Sequence, residues 1–153
     1  MKIAVGTDHG GFHLKDRLIR LLKARSHQVR DFGTFSPDSC DYPLIAAQVA
    51  ESVSQKRAQR GVLLCKSGGG MAIVANRFPA VRAVVCQSPS SARYAREHND
   101  SNVLVLGAEG MGPAQAQAIV SVWLKTPFAG GRHARRIRQI RKIERKLIRS
   151  SNA

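Results

Sequence analysis

Short apolar runs alternate with amphipathic stretches along the whole chain. Strand-like runs lie at residues 3–5, 28–32, 62–65, 81–86 and 103–106, and all except the second, shorter one (28–32) are mainly apolar. Between them, apolar residues recur at helical spacing and predict helices near residues 14–22, 42–54, 71–77, 89–97 and 113–125. This alternation predicts a single α/β domain over residues 1–153. We expect a three-layer Rossmann-like fold, with a five-stranded parallel sheet covered by helices on both faces.

One more helix is predicted at about residues 131–149, after the pair Gly130-Gly131. Its apolar residues fall within an arc of roughly 140° at 100° per residue and form one stripe: Ile137, Ile140, Ile143, Leu147 and Ile148. An apolar stripe at the end of a compact domain needs cover. We therefore expect this C-terminal helix to be used in dimerisation.

The same helix carries much of the positive charge of the chain. The net charge is +15, and residues 132–149 hold nine Lys or Arg and one acidic residue, Glu144. A nucleic acid or another anionic surface could bind such a segment. A basic helix without interleaved aromatic residues is weak evidence for nucleic-acid recognition, however, and a solvated helix face explains the charge equally well. The sequence therefore does not favour a nucleic-acid partner.

A glycine-rich stretch at residues 61–76 is the most informative part of the chain. A short apolar run ends at Cys65, a flexible turn follows from Ser67 to Gly70, and a helix-favouring segment comes next. A strand, a glycine loop and a helix N-terminus in this order make a cup of backbone N–H groups that suits a negative charge. We expect a thiol at the lip of such a cup to lose its proton more easily than a free cysteine.

Several common kinds of site are disfavoured. Residues 8–11 do not match the dinucleotide-binding pattern, and Lys66-Ser67 precedes the glycines instead of following them as in a P-loop. The three cysteines, at positions 40, 65 and 86, have no paired spacing and no nearby ligand set, so we expect reduced thiols and no zinc site. The sequence shows neither a signal peptide nor a membrane span. The expected location is the cytoplasm, without a membrane partner.

Ligands of parallel sheets bind at the carboxyl ends of the strands, and the residues there resemble a known family. The matching stretches are Gly6-Thr7-Asp8-His9-Gly10-Gly11-Phe12, Asp41-Tyr42-Pro43, residues 65–76, residues 81–86, Glu97-His98-Asn99-Asp100, and Gly130-Gly131-Arg132-His133 with Arg136. In this order they resemble the ribose-5-phosphate isomerase B family, whose relatives include galactose-6-phosphate isomerase subunits. The resemblance implies an aldose–ketose isomerase of phosphorylated sugars that needs no metal or other cofactor. It also implies active sites shared between the subunits of a homodimer or homotetramer.

This reaction needs a base that moves a proton from C2 to C1, and fixed donors for the oxygens of the enediolate. We expect Cys65 to be the base. The backbone amides of residues 66–70, which include Gly68, Gly69 and Gly70, would form the anion site. The alternative for Cys65 is a buried core thiol at a strand end. Some family members carry a glutamate base in the following helix, but the corresponding residue here is Met71, which cannot accept a proton.

Further roles come from the resemblance. Ser67 would relay protons between the sugar oxygens, and His98, with Asn99 beside it, would open the sugar ring. Asp8 and Tyr42 would hold sugar hydroxyls. Each residue also has a structural explanation: Ser67 as a turn former, His98 as a helix cap, Asp8 as a turn residue and Tyr42 as a packed ring.

The phosphate site is predicted at the start of the last helix. Arg132 and Arg136 are four residues apart, so they share a helix face and can grip a phosphate together, with His9 completing the site. The alternative is again a solvated basic face. Two residues depart from the family pattern, because Lys66 stands where glycine is most common and Glu109 stands where many relatives have a phosphate-binding arginine. A carboxylate repels phosphate, so we expect Lys66 to offset it, by pairing with Glu109 or by adding its own charge.

Three functions remain open on the sequence. The first is interconversion of ribose-5-phosphate and ribulose-5-phosphate through an enediolate, in the pentose phosphate pathway. The second is isomerisation of a six-carbon sugar phosphate, such as allose- or galactose-6-phosphate. The third is a non-catalytic basic binding protein with the family fold. Retention of Cys65, Ser67, His98, Arg132 and Arg136 together favours an enzyme, because a folded scaffold does not require that set.

Overall fold

The computed structural model describes residues 1–151, in which five strands and six helices alternate. The strands are β1 (Lys2–Thr7), β2 (Gln28–Asp31), β3 (Arg60–Cys65), β4 (Ala83–Cys86) and β5 (Val103–Gly107). The helices are α1 (Phe12–Ala24), α2 (Tyr42–Ser54), α3 (Gly69–Ala75), α4 (Pro89–Glu97), α5 (Pro113–Lys125) and α6 (Gly131–Ser151), and a 3-10 turn at His9–Gly11 precedes α1. Every predicted strand and helix is present in the described part of the chain.

The five strands form one parallel sheet in the order β2-β1-β3-β5-β4. Helices α1, α4 and α5 cover one face, where the core contains Leu14, Ala92 and Trp123. Helices α2 and α3 cover the other face, packed through Val49 and Met71. The predicted three-layer α/β fold is confirmed. Burial of β5 on both faces explains why its sequence reads as a continuous apolar run.

The strand order places a topological switch point between the carboxyl ends of β1 and β3, and we call the region between these two strand ends the crevice. The chain places β2 next to β1 on one side, and then crosses over to place β3 next to β1 on its other side. Loops that leave neighbouring strands in opposite directions open a ligand site at that point. The residues at the two strand ends are Thr7-Asp8 and Cys65, and the N–H of Asp8 donates to the carbonyl of Leu64 at 3.2 Å.

Helix α6 is anchored at its start and along one side. Just before it, the N–H of Ala129 donates to the carbonyl of Glu97 at 3.1 Å, and further along Glu144 Oε1 accepts from the N–H of Ala80 at 2.9 Å. Ile137 is buried against the body, whereas Ile140 and Ile143 are exposed and line a groove of about 530 Å³ beside β4. The predicted stripe is therefore present, and most of it is uncovered in the single chain.

None of the described helices is both long and apolar enough to cross a membrane.

Candidate active site

Cys65 is the last residue of β3 and is only 6% exposed. Its carbonyl accepts the N–H of Ala108 at 2.8 Å, which ties the loop after β5 to the end of β3. Its thiol is within hydrogen-bonding reach of the backbone N–H groups of Ser67 and Gly68, and of the side chain of Asp8. The predicted base thus lies beside N–H groups of the predicted anion site.

The expectation that this thiol is unusually acidic is wrong for the single chain. Burial raises the pKa of Cys65 above its ordinary value, and the neighbouring carboxylate of Asp8 raises it further. The N–H groups of Gly68 and Ser67 lower the pKa, as the sequence suggested, but the desolvation at a buried strand end is larger. The sequence pattern identified the donors and could not show how deeply the sulfur is buried.

Cys86 provides an internal comparison. It ends β4, is fully buried, and its thiol donates to the carbonyl of Val84 at 3.8 Å. Burial raises the pKa of Cys86 to about 11. The Ser91 side chain in the first turn of α4 lowers the pKa of Cys86, but burial has the larger effect, and no backbone N–H contributes as it does at Cys65.

The glycines after Cys65 allow the loop to turn and to accept close neighbours. Gly68 adopts φ +84°, the left-handed conformation, immediately before the first residue of α3. A Cβ on Gly70 would lie 2.5 Å from Cζ of Tyr42, so the tyrosine ring packs directly on the loop. The helix begins at Gly69, two residues earlier than predicted, so the turn is confined to Lys66, Ser67 and Gly68.

The loop after β1 closes the other side of the crevice. Asp8 is buried, and its Oδ1 accepts the N–H of Gly10 at 2.8 Å. A Cβ on Gly10 would lie 2.8 Å from the backbone nitrogen of Lys66, so only glycine permits the two loops to approach this closely. His9 is exposed, and its Nδ1 accepts the N–H of Cys40 at 3.2 Å, which leaves Nε2 for a ligand.

The two residues that depart from the family pattern are paired. Lys66 Nζ lies 3.3 Å from Glu109 Oε1, with both side chains about 70% exposed (71% and 68%). Their backbones are joined as well, because the N–H of Glu109 donates to the carbonyl of Lys66 at 3.0 Å. The pairing predicted from the sequence is therefore present at the mouth of the crevice.

The remaining predicted residues form a second cluster at the junction of α4 and α6. The His98 ring stacks on His133 at 4.3 Å between ring centres and 8° between planes, and on Tyr94 at 5.2 Å. Partial desolvation, and then repulsion by His98, Arg132 and Arg136, lower the pKa of His133. A neutral imidazole beside two guanidinium groups avoids adding charge to an already cationic cluster. His133 lies within a stretch that matched the family, yet the sequence alone assigned it no role.

Within one chain the two clusters lie at opposite ends of the strands. The cluster of Cys65 lies at the carboxyl ends, and the cluster of His98 lies near the amino ends. Helix α4 starts beyond the carboxyl end of β4 and returns over nine residues, or about 13 Å. The turn after α4 is held at the amino-terminal edge, where the carbonyl of Asn102 accepts the N–H of Gly61 at 2.9 Å. Cys65 lies four residues further along that strand, again about 13 Å away. No contact of the described residues joins His98, Arg132 or Arg136 to the loop of Cys65.

A network of charged side chains holds the turn that follows His98. Asp100, at φ +44°, accepts from Arg82 Nη2 at 2.8 Å and from Arg96 Nη1 at 2.9 Å. Arg82 Nε also donates to the carbonyl of Asn99 at 3.1 Å. Arg96 is buried, and it also donates to the carbonyls of Ser101 and Thr126. Arg82 and Arg96 could not be assigned this role from the sequence, since nothing local to either residue indicates that both contact Asp100.

Within residues 1–151, no group of three or more His, Cys, Asp or Glu side chains is placed to hold a metal ion.

The chain is thus an α/β protein with a buried thiol and N–H donors at the switch point of its parallel sheet, the place where such proteins bind small ligands. Comparison with known proteins assigns the family. The model of the ribose/galactose isomerase family matches residues 3–140. The chain belongs to this family.

Individual relatives are similar over nearly their whole length. Ribose-5-phosphate isomerase B of Escherichia coli K12 is 44% identical over 145 residues, which cover 95% of this chain and 97% of that protein. The solved structure of ribose-5-phosphate isomerase B of Clostridium thermocellum superposes with a TM-score of 0.93 at 46% identity, covering 96% of this chain and 99% of the other. The D-erythrulose-4-phosphate isomerase of Pectobacterium atrosepticum is 35% identical, over 92% of this chain and 93% of that protein.

Proposed function

We propose that this protein is a metal-independent aldose–ketose isomerase that interconverts ribose-5-phosphate and ribulose-5-phosphate in the cytoplasm. The observation that carries the proposal is the position of the Cys65 sulfur. It lies at the crevice between β1 and β3, beside Asp8 and beneath the N–H groups of Ser67 and Gly68. The similarity to ribose-5-phosphate isomerase B proteins over nearly the whole chain supports the choice of substrate.

The chemistry assigns one task to each group in the crevice. The thiolate of Cys65 takes the proton from C2 of the open-chain aldose and returns it to C1. The electron pair of the C2–H bond moves into the enediolate, whose negative oxygens the N–H groups at the start of α3 stabilise. Ser67, exposed beside these donors, carries the hydroxyl proton between O2 and O1. Asp8 and Tyr42 hold the sugar hydroxyls, and His9 contributes to the phosphate site.

Ring opening and most of the phosphate binding require the second cluster. His98 is the acid and base that opens the cyclic sugar, with Asn99 beside it, and Arg132 and Arg136 bind the phosphate. In one chain these residues and Cys65 lie at opposite ends of the strands. A complete site therefore needs the cluster of a second subunit. We therefore infer a homodimer, or a homotetramer built from it, in which each site combines the crevice of one chain with the α4–α6 junction of its partner.

The surface of α6 supports this assembly. Ile140 and Ile143 are exposed and border the groove beside β4, so a second chain that covers them also receives Arg132 and Arg136 from the same helix. Positive charge from a partner opposes the effect of Asp8 on Cys65. A larger fraction of Cys65 is therefore in the reactive thiolate form in the assembled enzyme than in the single chain.

A second candidate substrate differs from ribose-5-phosphate in the length of its carbon chain. A relative at 35% identity is named for a four-carbon sugar phosphate, so relatives with this framework act on more than one chain length. The exposed pair Lys66 and Glu109 stands at the mouth of the crevice, where the end of a longer sugar would extend. A six-carbon substrate such as allose- or galactose-6-phosphate remains the second candidate.

The test is turnover of a panel of aldose phosphates by the purified protein, with the Cys65→Ala variant beside it. Ribose-5-phosphate should have the highest kcat/KM. Cys65→Ala should remain folded and lose at least about a hundredfold in kcat, because no carboxylate replaces the thiol. Near-full turnover by Cys65→Ala would disprove the thiol mechanism. Failure of the wild-type protein to convert any sugar phosphate would instead favour the non-catalytic binding protein.

A further inference from the structure

The cations of α6 are sorted onto two different sides of the helix. At 100° per residue, Arg132 and Arg136 lie beside the apolar stripe. Six other cations fall within an arc of roughly 100° on the opposite side, and we call them the basic face: Arg135, Arg138, Lys142, Arg145, Lys146 and Arg149. All six are exposed. The proposed phosphate site therefore does not account for them, since it uses the other side of the same helix.

The orientation of α6 keeps the basic face open to solvent. The apolar stripe is directed toward the body, because Ile137 is buried there and Glu144 bonds to the backbone of Ala80. Whatever covers the rest of the stripe, a second subunit included, approaches from that side. Arg141 lies at the border and near Arg82, so it is not counted in the basic face.

The positive charge of the basic face is also not balanced by acidic residues of α6. None of its six cations takes part in an ion pair among the described residues, and the one acidic residue of α6, Glu144, lies on the opposite side. Like charges three and four residues apart on a helix destabilise it. A surface that only had to be polar would mix acidic residues in, as the rest of the chain does with sixteen basic and nine acidic residues. An external polyanion would relieve this repulsion.

From these observations we propose that the basic face binds the phosphodiester backbone of a nucleic acid. The six cations run from Arg135 to Arg149, which is about 21 Å of helix, or one cation every 4 Å. The phosphates of one strand of a duplex repeat every 3.4 Å or so along its axis, so a row of them can face this helix. Four of the six cations are arginines, whose planar groups can bind phosphate oxygens in pairs.

The contacts are to the backbone and not to the bases. The basic face contains no aromatic residue on which a base could stack, so the binding does not depend on sequence. A membrane surface fits less well, because an amphipathic helix binds lipid through its apolar side, and the second subunit of the proposed assembly covers that side of α6. Composition alone did not favour a nucleic-acid partner, and the separation of these cations from the phosphate arginines changes that expectation.

The experiment compares two triple variants that lose the same charge. The first is Arg138→Gln/Arg145→Gln/Arg149→Gln on the basic face, and the matched control is Arg17→Gln/Arg20→Gln/Lys23→Gln on the exposed side of α1. Fluorescence anisotropy with a labelled single-stranded RNA and a labelled duplex DNA, each over a series of salt concentrations, gives Kd and its salt dependence. Isomerase activity, circular dichroism and sedimentation are measured on the same samples.

The wild type should bind both probes, with a Kd that rises steeply with salt. The α6 triple should reduce the slope of log Kd against log salt by roughly two to three, because three phosphate contacts are lost at about 0.7 to 0.9 each. The α1 triple should keep the wild-type slope. Isomerase activity should be unchanged in both triples, since Arg132 and Arg136 are intact.

Three outcomes would overturn the proposal: equal weakening in both triples, binding to vesicles that contain phosphatidylserine but to neither nucleic acid, or a Kd that does not vary with salt. A variant with Arg138→Lys, Arg145→Lys and Arg149→Lys guards against loss of the helix. It keeps the charge, so it should retain the salt dependence, and loss of binding there would also contradict the proposal.

Discussion

At the residue scale, the surroundings of Cys65 combine effects of opposite sign on one thiol. Burial and the carboxylate of Asp8 raise its pKa, while the N–H groups of Gly68 and Ser67 lower it. A catalytic thiolate becomes more abundant as the pH rises toward the pKa of the thiol. The activity of the free enzyme should therefore increase with pH through the neutral and alkaline range, and it should decline as acid converts the base to the thiol.

Replacement of Asp8 by Asn isolates one of these effects. Asn keeps a side-chain oxygen to accept the N–H of Gly10 but removes the charge, so the pKa of Cys65 should fall. The rate of alkylation by iodoacetamide, followed by mass spectrometry of the peptide that contains Cys65, should reach its midpoint at a lower pH than in the wild type. Asp16→Asn on the exposed side of α1 is the control and should leave the midpoint unchanged. A midpoint that does not move would show that the Asp8 carboxylate has no influence on the thiol.

Lys66 and Glu109 should be energetically coupled. Removal of Lys66 leaves the Glu109 carboxylate unopposed near the phosphate, so Lys66→Ala should raise KM for ribose-5-phosphate by a few-fold. Glu109→Arg in that background should restore it. Because both side chains are largely exposed, the coupling should be only about 0.2–1 kcal/mol. A double-mutant cycle on KM that gives no interaction energy would show that the residues act independently.

At the element scale, the turn between α4 and β5 links a structural network to the ring-opening group. Asp100 lies two residues after His98 and joins Arg82, just before β4, to the buried Arg96 of α4. The carbonyl of Asn99 accepts from the same Arg82 side chain. The position of His98 at the end of α4 therefore depends on charged contacts with a different part of the sheet.

The variant Asp100→Asn should separate ring opening from proton transfer. It weakens both arginine contacts and leaves the Arg96 charge poorly paired, at about 1–3 kcal/mol in the free energy of unfolding. Conversion of cyclic ribose-5-phosphate should fall by roughly tenfold or more, since His98 is displaced. Exchange of solvent deuterium into C1 of open-chain ribulose-5-phosphate should change little, because that step uses Cys65. If both rates fall equally, the effect of Asp100 is on the fold and not on His98.

At the scale of the whole molecule, each chain contributes two halves of a site, which lie at opposite ends of its strands and do not meet. The length of β3 and the antiparallel return of α4 keep the halves apart, and no local movement of a loop closes about 13 Å through a packed core. Assembly is therefore the step that completes the site. The protein should lose its activity when it is diluted into monomers.

Truncation after Gly131 should give protein that is less oligomeric in sedimentation and unable to bind the phosphorylated substrate, because α6 supplies both Arg132 and the apolar stripe. The double variant Ile140→Gln/Ile143→Gln is a smaller change than truncation. It tests assembly and keeps both Arg132 and Arg136. It should also shift the protein toward monomers and reduce turnover. A truncated or monomeric protein with full activity would exclude the shared site.

Mixing two inactive variants tests the shared site directly. In a dimer that combines a Cys65→Ala chain with a His98→Ala chain, one site carries both substitutions and the other carries neither. Random exchange of subunits should therefore restore about a quarter of the wild-type activity. Mass spectrometry of the intact dimers confirms that the chains have exchanged. No recovery in exchanged dimers would place both residues in the same chain's site.

The sequence determined the elements and much of the chemistry. The apolar periodicity located all five strands, and the boundaries of α2, α4 and α5 match the prediction, because proline and serine start signals are local. The parallel sheet followed from the β/α alternation. Cys65 and its glycine loop were also accessible, since they form one short stretch, and the family resemblance led to the pairing of Lys66 with Glu109 as one of two alternatives.

Tertiary structure decided what depends on distances between segments remote in sequence. The pKa of Cys65 moves up, because desolvation is set by every element that surrounds the sulfur and not by the loop alone. The contacts of Asp100 with Arg82 and Arg96 come from three different elements. The separation of His98 from Cys65 depends on the direction in which α4 runs across the sheet. Sequence patterns report local conformation and residue type, whereas burial and proximity exist only once the chain has packed.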